Sequence, residues 1–288
     1  MRKPIIVVGT DGTTCGSAAV EWAADEARRR RMPLRIVHAF DWDWNESRLD
    51  IGNEYIDVAR LLADSVVSAA RDRARALAPD VEIETDTLIG HASPRLAEAS
   101  RDADLLVVGS RGRGGFAGLL LGSVSQRMAT RAACPVVVVR GQVTPEGPVV
   151  VGADDSPGSD RVLETAFAAA AARDAVLTVV RSYLPVIPLW LADVRPSEVE
   201  TPAQDSDERA RLHEQLAPWI EKYPQVKVEV VLTHQSAAAA LVAASAGAQL
   251  AVIGSHGHGA IGGALLGSAG LPLLHHAECP VLVVRPEA

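Results

Sequence analysis

Two glycine-dense stretches carry the residues with the most evident chemistry, VVGSRGRGGFAGLLLGSVS over 107–125 and VIGSHGHGAIGGALLGSAG over 252–270. Glycine costs backbone entropy, so a run of it implies a backbone that something must approach closely. In the first stretch Gly109, Ser110, Arg111, Gly112, Arg113, Gly114 and Gly115 follow an apolar run, and Gly122, Ser123, Val124 and Ser125 open an amphipathic segment. Loop N–H groups of this kind can converge on an anion, and a helix starting near Ser123 adds unpaired N–H donors. The hydroxyls of Ser123 and Ser125 suit either helix capping or a phosphate oxygen, and Arg111 and Arg113 add charge. The second stretch keeps Gly254, Ser255, Gly257, Gly259, Gly267 and Ser268, but His256 and His258 replace the arginines and Gly270 replaces Ser125. Both read as phosphate cradles, the second with less charge and one hydroxyl fewer.

Familiar phosphate loops do not match. A Walker A loop needs G-K-[ST], whereas Gly122 precedes Ser123 and no lysine lies nearby. A dinucleotide fingerprint, present literally at Gly257, Gly259 and Gly262, belongs after the first strand of a unit; here it follows the fourth.

The elements that must position these loops are written twice. Gly109 answers Gly254, Gly122 answers Gly267 and Cys134 answers Cys279, at a constant offset of 145. CPVVVVR answers CPVLVVR, and VVGTDGT over 7–13 answers VVGADDS over 150–156 at an offset of 143, so the copies differ by a small insertion. IGHASP over 89–94 is set against THQSAA over 233–238. The repeat is a whole domain in tandem rather than a solenoid unit. The expected domains are 1–142 and 147–288, joined through GQVTPEGP over 141–148. In the first copy β-branched runs predict strands over 5–8, 34–39, 81–88, 105–108 and 136–139. Alanine-rich amphipathic segments predict helices over 17–30, 54–77, 94–100 and 123–131. The second copy repeats the strands over 149–151, 176–180, 226–232, 250–253 and 281–284. Alternating β and α units with nearly continuous apolar strands predict an α/β fold, two tandem Rossmann-like doubly wound domains. Ligands bind such sheets beyond the strand carboxyl ends, where the strand order reverses.

The spacing G-x2-G-x9-G-[ST] is met at Gly109, Gly112, Gly122 and Ser123, and again at Gly254, Gly257, Gly267 and Ser268. In this the chain resembles the universal stress protein family, in its tandem-domain, ATP-binding form, over essentially its full length. The resemblance implies a five-stranded parallel sheet of order 3-2-1-4-5 in each domain, with ATP between the first and fourth strands. It implies that Asp11 and Asp154 lie beside the nucleotide, bonding a ribose hydroxyl or acting through Mg²⁺. The main chain of Gly9 and Gly152 is then near the ligand as well. The helix-cap reading of Asp11 and Asp154 stays open beside it. If the order holds, the last strand of each copy is an apolar edge, which needs a partner. The expectation is that the two copies pair these edges as a pseudo-dimer within one chain, with a homodimer of chains as a further level.

Composition bounds the function. The formal net charge of −8 argues against nucleic acid as a partner. Cys15, Cys134 and Cys279 are too few and too scattered for a disulfide framework, which fits a reduced, cytoplasmic setting. The apolar run after Arg2 and Lys3 ends at Gly9, too short for a signal peptide, and no other stretch could span a bilayer. His256, His258, His275 and His276 read as polar loop residues rather than a zinc set. Trp42, Trp44 and Trp190 cover either a nucleotide or the local core. No nucleophile–base pair stands at a recognisable spacing. The expectation is an ATP-binding regulatory protein of stress response or growth arrest with an unidentified protein partner. The alternatives are a slow ATPase or phosphotransferase, and a nucleotide-free scaffold.

Overall fold

The computed structural model describes residues 3–40, 54–112, 120–142, 144–187, 194–195, 199, 201–255 and 266–285. The chain divides into two compact units, residues 1–140 and 141–288. Arg113, Gly114, Gly115, His256, Gly257, His258, Gly259 and the three tryptophans at 42, 44 and 190 lie outside the described residues.

The first unit runs β1 (Ile6–Gly9), α1 (Thr14–Arg30), β2 (Leu34–Phe40), α2 (Glu54–Leu77), β3 (Ile83–Ile89), α3 (Ala92–Ala99), β4 (Leu105–Gly109), α4 (Ser123–Arg131) and β5 (Val136–Val139). Its strands lie in the order β3-β2-β1-β4-β5, every neighbouring pair parallel. α1 and α2 pack together on one face, α3 and α4 on the other. Strands covered on both faces must be apolar throughout, and β1, β4 and β5 are buried at every residue. β3 ends the order, and its IETDTLI is half exposed. Its charges discourage pairing with a stray strand.

The start of α1 follows capping chemistry rather than hydrophobic period. α1 begins at Thr14, three residues before the apolar pattern, because the Thr13 hydroxyl accepts the Gly16 N–H at 3.2 Å. Arg28, Arg29 and Arg30 occupy its last turn, where cations suit the helix dipole. α3 begins at Ala92 and carries Pro94 in its first turn, where a missing N–H costs little.

The second unit repeats the plan: β6 (Val149–Gly152), α5 (Ser159–Ala171), β7 (Leu177–Ser182), α6 (Pro202–Lys222), β8 (Val228–Thr233), α7 (Ala237–Ser245), β9 (Leu250–Gly254), α8 (Gly270–His276) and β10 (Val281–Val284). The order is β8-β7-β6-β9-β10, again all parallel, which is the first unit's order copied. The residues read as a junction are packed within this unit. Gly141 has φ of +60°, and a Cβ there would lie 1.9 Å from the Glu278 carbonyl oxygen. Gln249 donates through its side chain to the Gly147 carbonyl at 2.6 Å.

Strand register corrects the alignment of the two copies. Val37 pairs with Asp86, while Val180, its equivalent, pairs with Val231. The two extra residues therefore fall between β7 and β8, and Gly90 answers Gln235 while His91 answers Ser236. The same offset makes Leu241 the equivalent of Leu96, each reaching under the first-strand glycine, Gly152 or Gly9.

Candidate functional site

In the first unit the chain leaves β1 toward β2 and returns to β4 on the other side, so strand order reverses between β1 and β4. A cavity of about 400 Å³ opens there, beyond the carboxyl ends of both strands. That is within the usual range for a small-molecule site. Of the residues singled out by sequence, Gly9, Asp11, Gly109, Arg111, Gly112, Gly122, Ser123, Val124 and Ser125 line it.

Asp11 fixes the geometry of both loops. Its Oδ1 accepts the Thr13 N–H at 3.0 Å and the Thr13 hydroxyl at 2.7 Å, and Thr13 in turn caps α1. Asp11 is thus the anchor of the cap rather than the cap itself. Oδ2 points at the other loop, since a Cβ on Gly112 would lie 2.6 Å from it. Gly112 is glycine because the β4 loop passes over this carboxylate.

The other glycines divide by cause. A Cβ on Gly109 would stand 2.5 Å from the Cys15 carbonyl oxygen, so its bareness serves the packing of α1 on β4 rather than ligand approach. At Gly122 the nearest atoms to a Cβ are Arg111 Cα and the Ser110 carbonyl oxygen, both at 3.4 Å, which is ordinary contact. Gly122 is the N-cap of α4 and offers no side chain to its free N–H groups. The N–H groups of Ser123, Val124 and Ser125 accordingly open the helix uncapped, beside the cavity. The Ser125 hydroxyl is not offered to a ligand: it is buried and donates to the Gly109 carbonyl at 2.6 Å.

Ser110 and Ser255 do not line the cavities. Both are buried, and their main chains close the loops: Ser110 accepts the Gly122 N–H at 2.8 Å, and Ser255 accepts that of Gly267 at 3.1 Å. Their part is to hold the ends of each glycine loop together.

Sequence reading missed the far wall, which comes from β2 and α3 through Val37, Ala39, Ala92 and Leu96. Val37 turns its carbonyl to the Thr10 N–H at 2.9 Å. In a parallel strand alternate residues face the same neighbour, so Ala39 faces β1 too, one step past its end. The register of β2 with β1 ends at Val37, so the N–H and C=O of Ala39, which lines the cavity, face the side that β1 has left, as an adjacent donor and acceptor. Buried His38 places its Nδ1 2.7 Å from the Thr10 carbonyl, which makes that nitrogen the donor and steadies the turn out of β1.

The second cavity is smaller, about 240 Å³, and is lined by Gly152, Asp154, Gly254, Gly267 and Ser268 among the residues expected. Asp154 repeats the anchor, accepting the Ser156 N–H at 3.0 Å and its hydroxyl at 2.6 Å. Beyond that the copies part. α8 starts at Gly270 rather than at Ser268, because Gly270 has no hydroxyl to tie the turn to β9 and Pro272 follows. Ser182 replaces Ala39 and donates its hydroxyl to the Gln235 carbonyl at 2.6 Å. Gln215 of α6 clamps the loop, donating to the Asp154 carbonyl at 2.9 Å and to Ser159 Oγ at 3.0 Å.

Arg181 and Tyr183, alternating with the cavity residues Val180 and Ser182, turn toward α6. The Arg181 guanidinium, in place of His38, reaches Glu208 at 2.7 Å and Asp155 at 2.6 Å. Burial opposes its charge, but the two carboxylates outweigh this and its pKa is raised. The Tyr183 hydroxyl donates to Asp205 Oδ1, which also lies 3.1 Å from His234 Nε2. The tyrosine bond holds the Asp205 carboxyl below its ordinary range, while burial and that same bond raise Tyr183.

The titratable side chains lining the first cavity among the described residues are Asp11 and Arg111. With uncapped N–H groups at one end and a backbone donor and acceptor at the other, the arrangement suits holding an anion with a planar polar group. Among the described residues no cluster of histidine, cysteine, aspartate or glutamate could hold a metal ion, and no helix is long and apolar enough to cross a membrane.

Comparison with known proteins gives the same frame. The model of the universal stress protein family matches twice, over residues 3–140 and 147–285. Universal stress protein Rv2005c of Mycobacterium tuberculosis is 36% identical over 297 residues, covering 97% of this chain and 96% of that protein. Universal stress protein Rv2623 of the same organism is 35% identical over 293 residues, with 97% and 96% covered. The crystal structure of a universal stress protein from Archaeoglobus fulgidus superposes over 100% of both chains with a TM-score of 0.74 at 19% identity, a likeness of fold. Two matches in tandem, covering nearly the whole chain, place it: the protein belongs to the universal stress protein family.

Proposed function

We propose that the protein is a cytoplasmic ATP-binding regulator of stress response or growth arrest, with domains 1–142 and 147–288 each built as one nucleotide-binding module. The observation that carries this is the first cavity, which offers an anion site and a polar edge-reader at opposite ends. The N–H groups of residues 123–125, with Arg111, suit phosphates. The N–H and C=O of Ala39, beside the apolar Val37 and Leu96, suit a base that presents an acceptor next to a donor, as adenine does. Asp11 then meets the ribose hydroxyls, or the phosphates through Mg²⁺, since a bare carboxylate repels polyphosphate. Residues Arg113, Gly114 and Gly115 complete the first loop in this reading. His256, Gly257, His258 and Gly259 do so in the second, whose smaller cavity takes nucleotide more weakly. The protein's role is to bind and signal through a partner protein rather than to turn ATP over.

The test is mass spectrometry of nucleotide released from the purified chain, followed by calorimetric titration with ATP and an ADP-release assay. Bound ATP with negligible ADP release supports the reading. A chain that neither carries nor takes up nucleotide rejects it, and ADP release at about 1 per second or faster makes the protein an enzyme.

A further inference from the structure

We propose that the first unit reads the length of its ligand's phosphate chain, in a second groove where Arg127 and His91 receive the tail. This rests on the nucleotide reading above and names the part of the ligand that the main cavity does not account for. A groove of about 410 Å³ lies between the start of α3 and the first turns of α4. Ala92, Ser123 and Val124 line both it and the main cavity, so the two spaces adjoin at the residues proposed to meet the phosphates. The residues that belong to the groove alone include His91 and Arg127, and no acidic side chain lines it among the described residues.

The surrounding charge makes this unusual. The chain has a formal net charge of −8, and several arginines of the first unit are occupied. Arg28 and Arg29 pair with Asp25, Arg73 with Glu21 and Arg95 with Glu98. Arg127 is exposed, and no carboxylate pairs with it among the described residues. A guanidinium offers a planar fork of donors that matches phosphate oxygens, and a histidine adds a further donor. A mononucleotide's single phosphate ends at the opening of α4, whereas a di- or triphosphate continues past Ser123 and Val124 into reach of both side chains.

The second unit lacks the device. At the offset fixed by strand register, Ser236 stands for His91 and Pro272 for Arg127. The first unit therefore prefers ATP over AMP through residues outside the glycine loop, and the second has no such preference from this source.

The experiment titrates the full chain calorimetrically with ATP, ADP and AMP, for the wild type, Arg127→Gln, Arg127→Glu and Arg127→Lys, with thermal midpoints alongside. An exposed, solvent-screened contact predicts that Arg127→Gln weakens ATP by about three- to tenfold and leaves AMP unchanged. Arg127→Glu weakens ATP further, and Arg127→Lys retains most of the preference. The midpoints of all variants stay at the wild-type value, because the side chain is exposed. Equal losses for ATP and AMP, or no loss for either, overturn the proposal. So does a wild type that binds ATP and AMP alike, which leaves the nucleotide reading standing. A wild type that binds none of the three removes both.

Discussion

At the residue scale, glycines that look alike in sequence do different work, and substitution separates them. Gly109→Ala drives a methyl into the Cys15 carbonyl and is expected to destabilise the first unit by about 1–3 kcal/mol, the usual range for overpacking. Gly122→Ala meets only ordinary contacts, so its cost stays within about 1 kcal/mol. Its effect belongs on the ligand, with ATP affinity reduced by about tenfold. Urea denaturation and calorimetric titration of both variants check the contrast, and a Gly122→Ala protein binding ATP like its parent would move the phosphates off α4. Gly112 and Asp11 are predicted to be coupled. Asp11→Ala removes the oxygen that a Gly112 methyl would strike at 2.6 Å, so the double variant should lose less stability than the two single losses together. Strict additivity would show that another neighbour keeps residue 112 bare.

At the element scale, α6 is tied to the second unit by polar contacts absent from the sequence pattern. Arg181→Met leaves the buried Glu208 carboxylate without the guanidinium, and breaking such a pair from one side costs about 3–5 kcal/mol. A denaturation midpoint unchanged in this variant would mean that Arg211, 3.5 Å from the same carboxylate, takes over. The Tyr183–Asp205 contact predicts a pH dependence with a definite sign. The folded protein holds the Asp205 carboxyl below its ordinary value, mainly through the Tyr183 hydroxyl. In the acid window the unfolded chain then binds more protons, and stability from this contact is lost as pH falls below about 4 toward the folded value. Asp205→Asn should flatten that part of the acid profile in urea midpoints taken between neutral and acidic pH. The same substitution should return Tyr183, raised by burial and by Asp205, toward the ordinary tyrosine range in an alkaline absorbance titration. A Tyr183 titration unaltered by Asp205→Asn would assign the whole shift to burial.

At the scale of the whole molecule, two sites on one duplicated frame are expected to respond unequally. The first has the larger cavity and an uncapped nine-residue helix, and the second has a tighter cavity and a loop held by Gln215. A ligand at 100 times its dissociation constant stabilises what it binds by about 2.7 kcal/mol. Hydrogen exchange with and without ATP should therefore show slowing at residues 122–125 that exceeds any at 267–270. Equal protection in both loops would mean that the glycine frame alone sets affinity and that the differences described here do not matter to the ligand.

The sequence by itself determined the duplication, the alternation of strands and helices, and the pair of glycine loops, because each leaves a local mark. Buried strands must be continuously apolar, amphipathic helices repeat their apolar face, and loop spacing repeats wherever a backbone path repeats. Strand order followed from the family resemblance rather than from any local pattern. What tertiary structure decided is which groups meet. Val37, Ala39 and Leu96 look like any other core residues in the chain, and only parallel pairing past the end of β1 makes them a wall of the cavity. His38 becomes a turn support only because Thr10 lies across from it. The bareness of Gly109 is explained by α1, which lies nearly a hundred positions earlier and touches β4 only after folding. Register between β7 and β8, not residue likeness, showed that His91 and Ser236 are equivalent. Such facts depend on contacts between distant segments, and a linear chain carries no local signal for them.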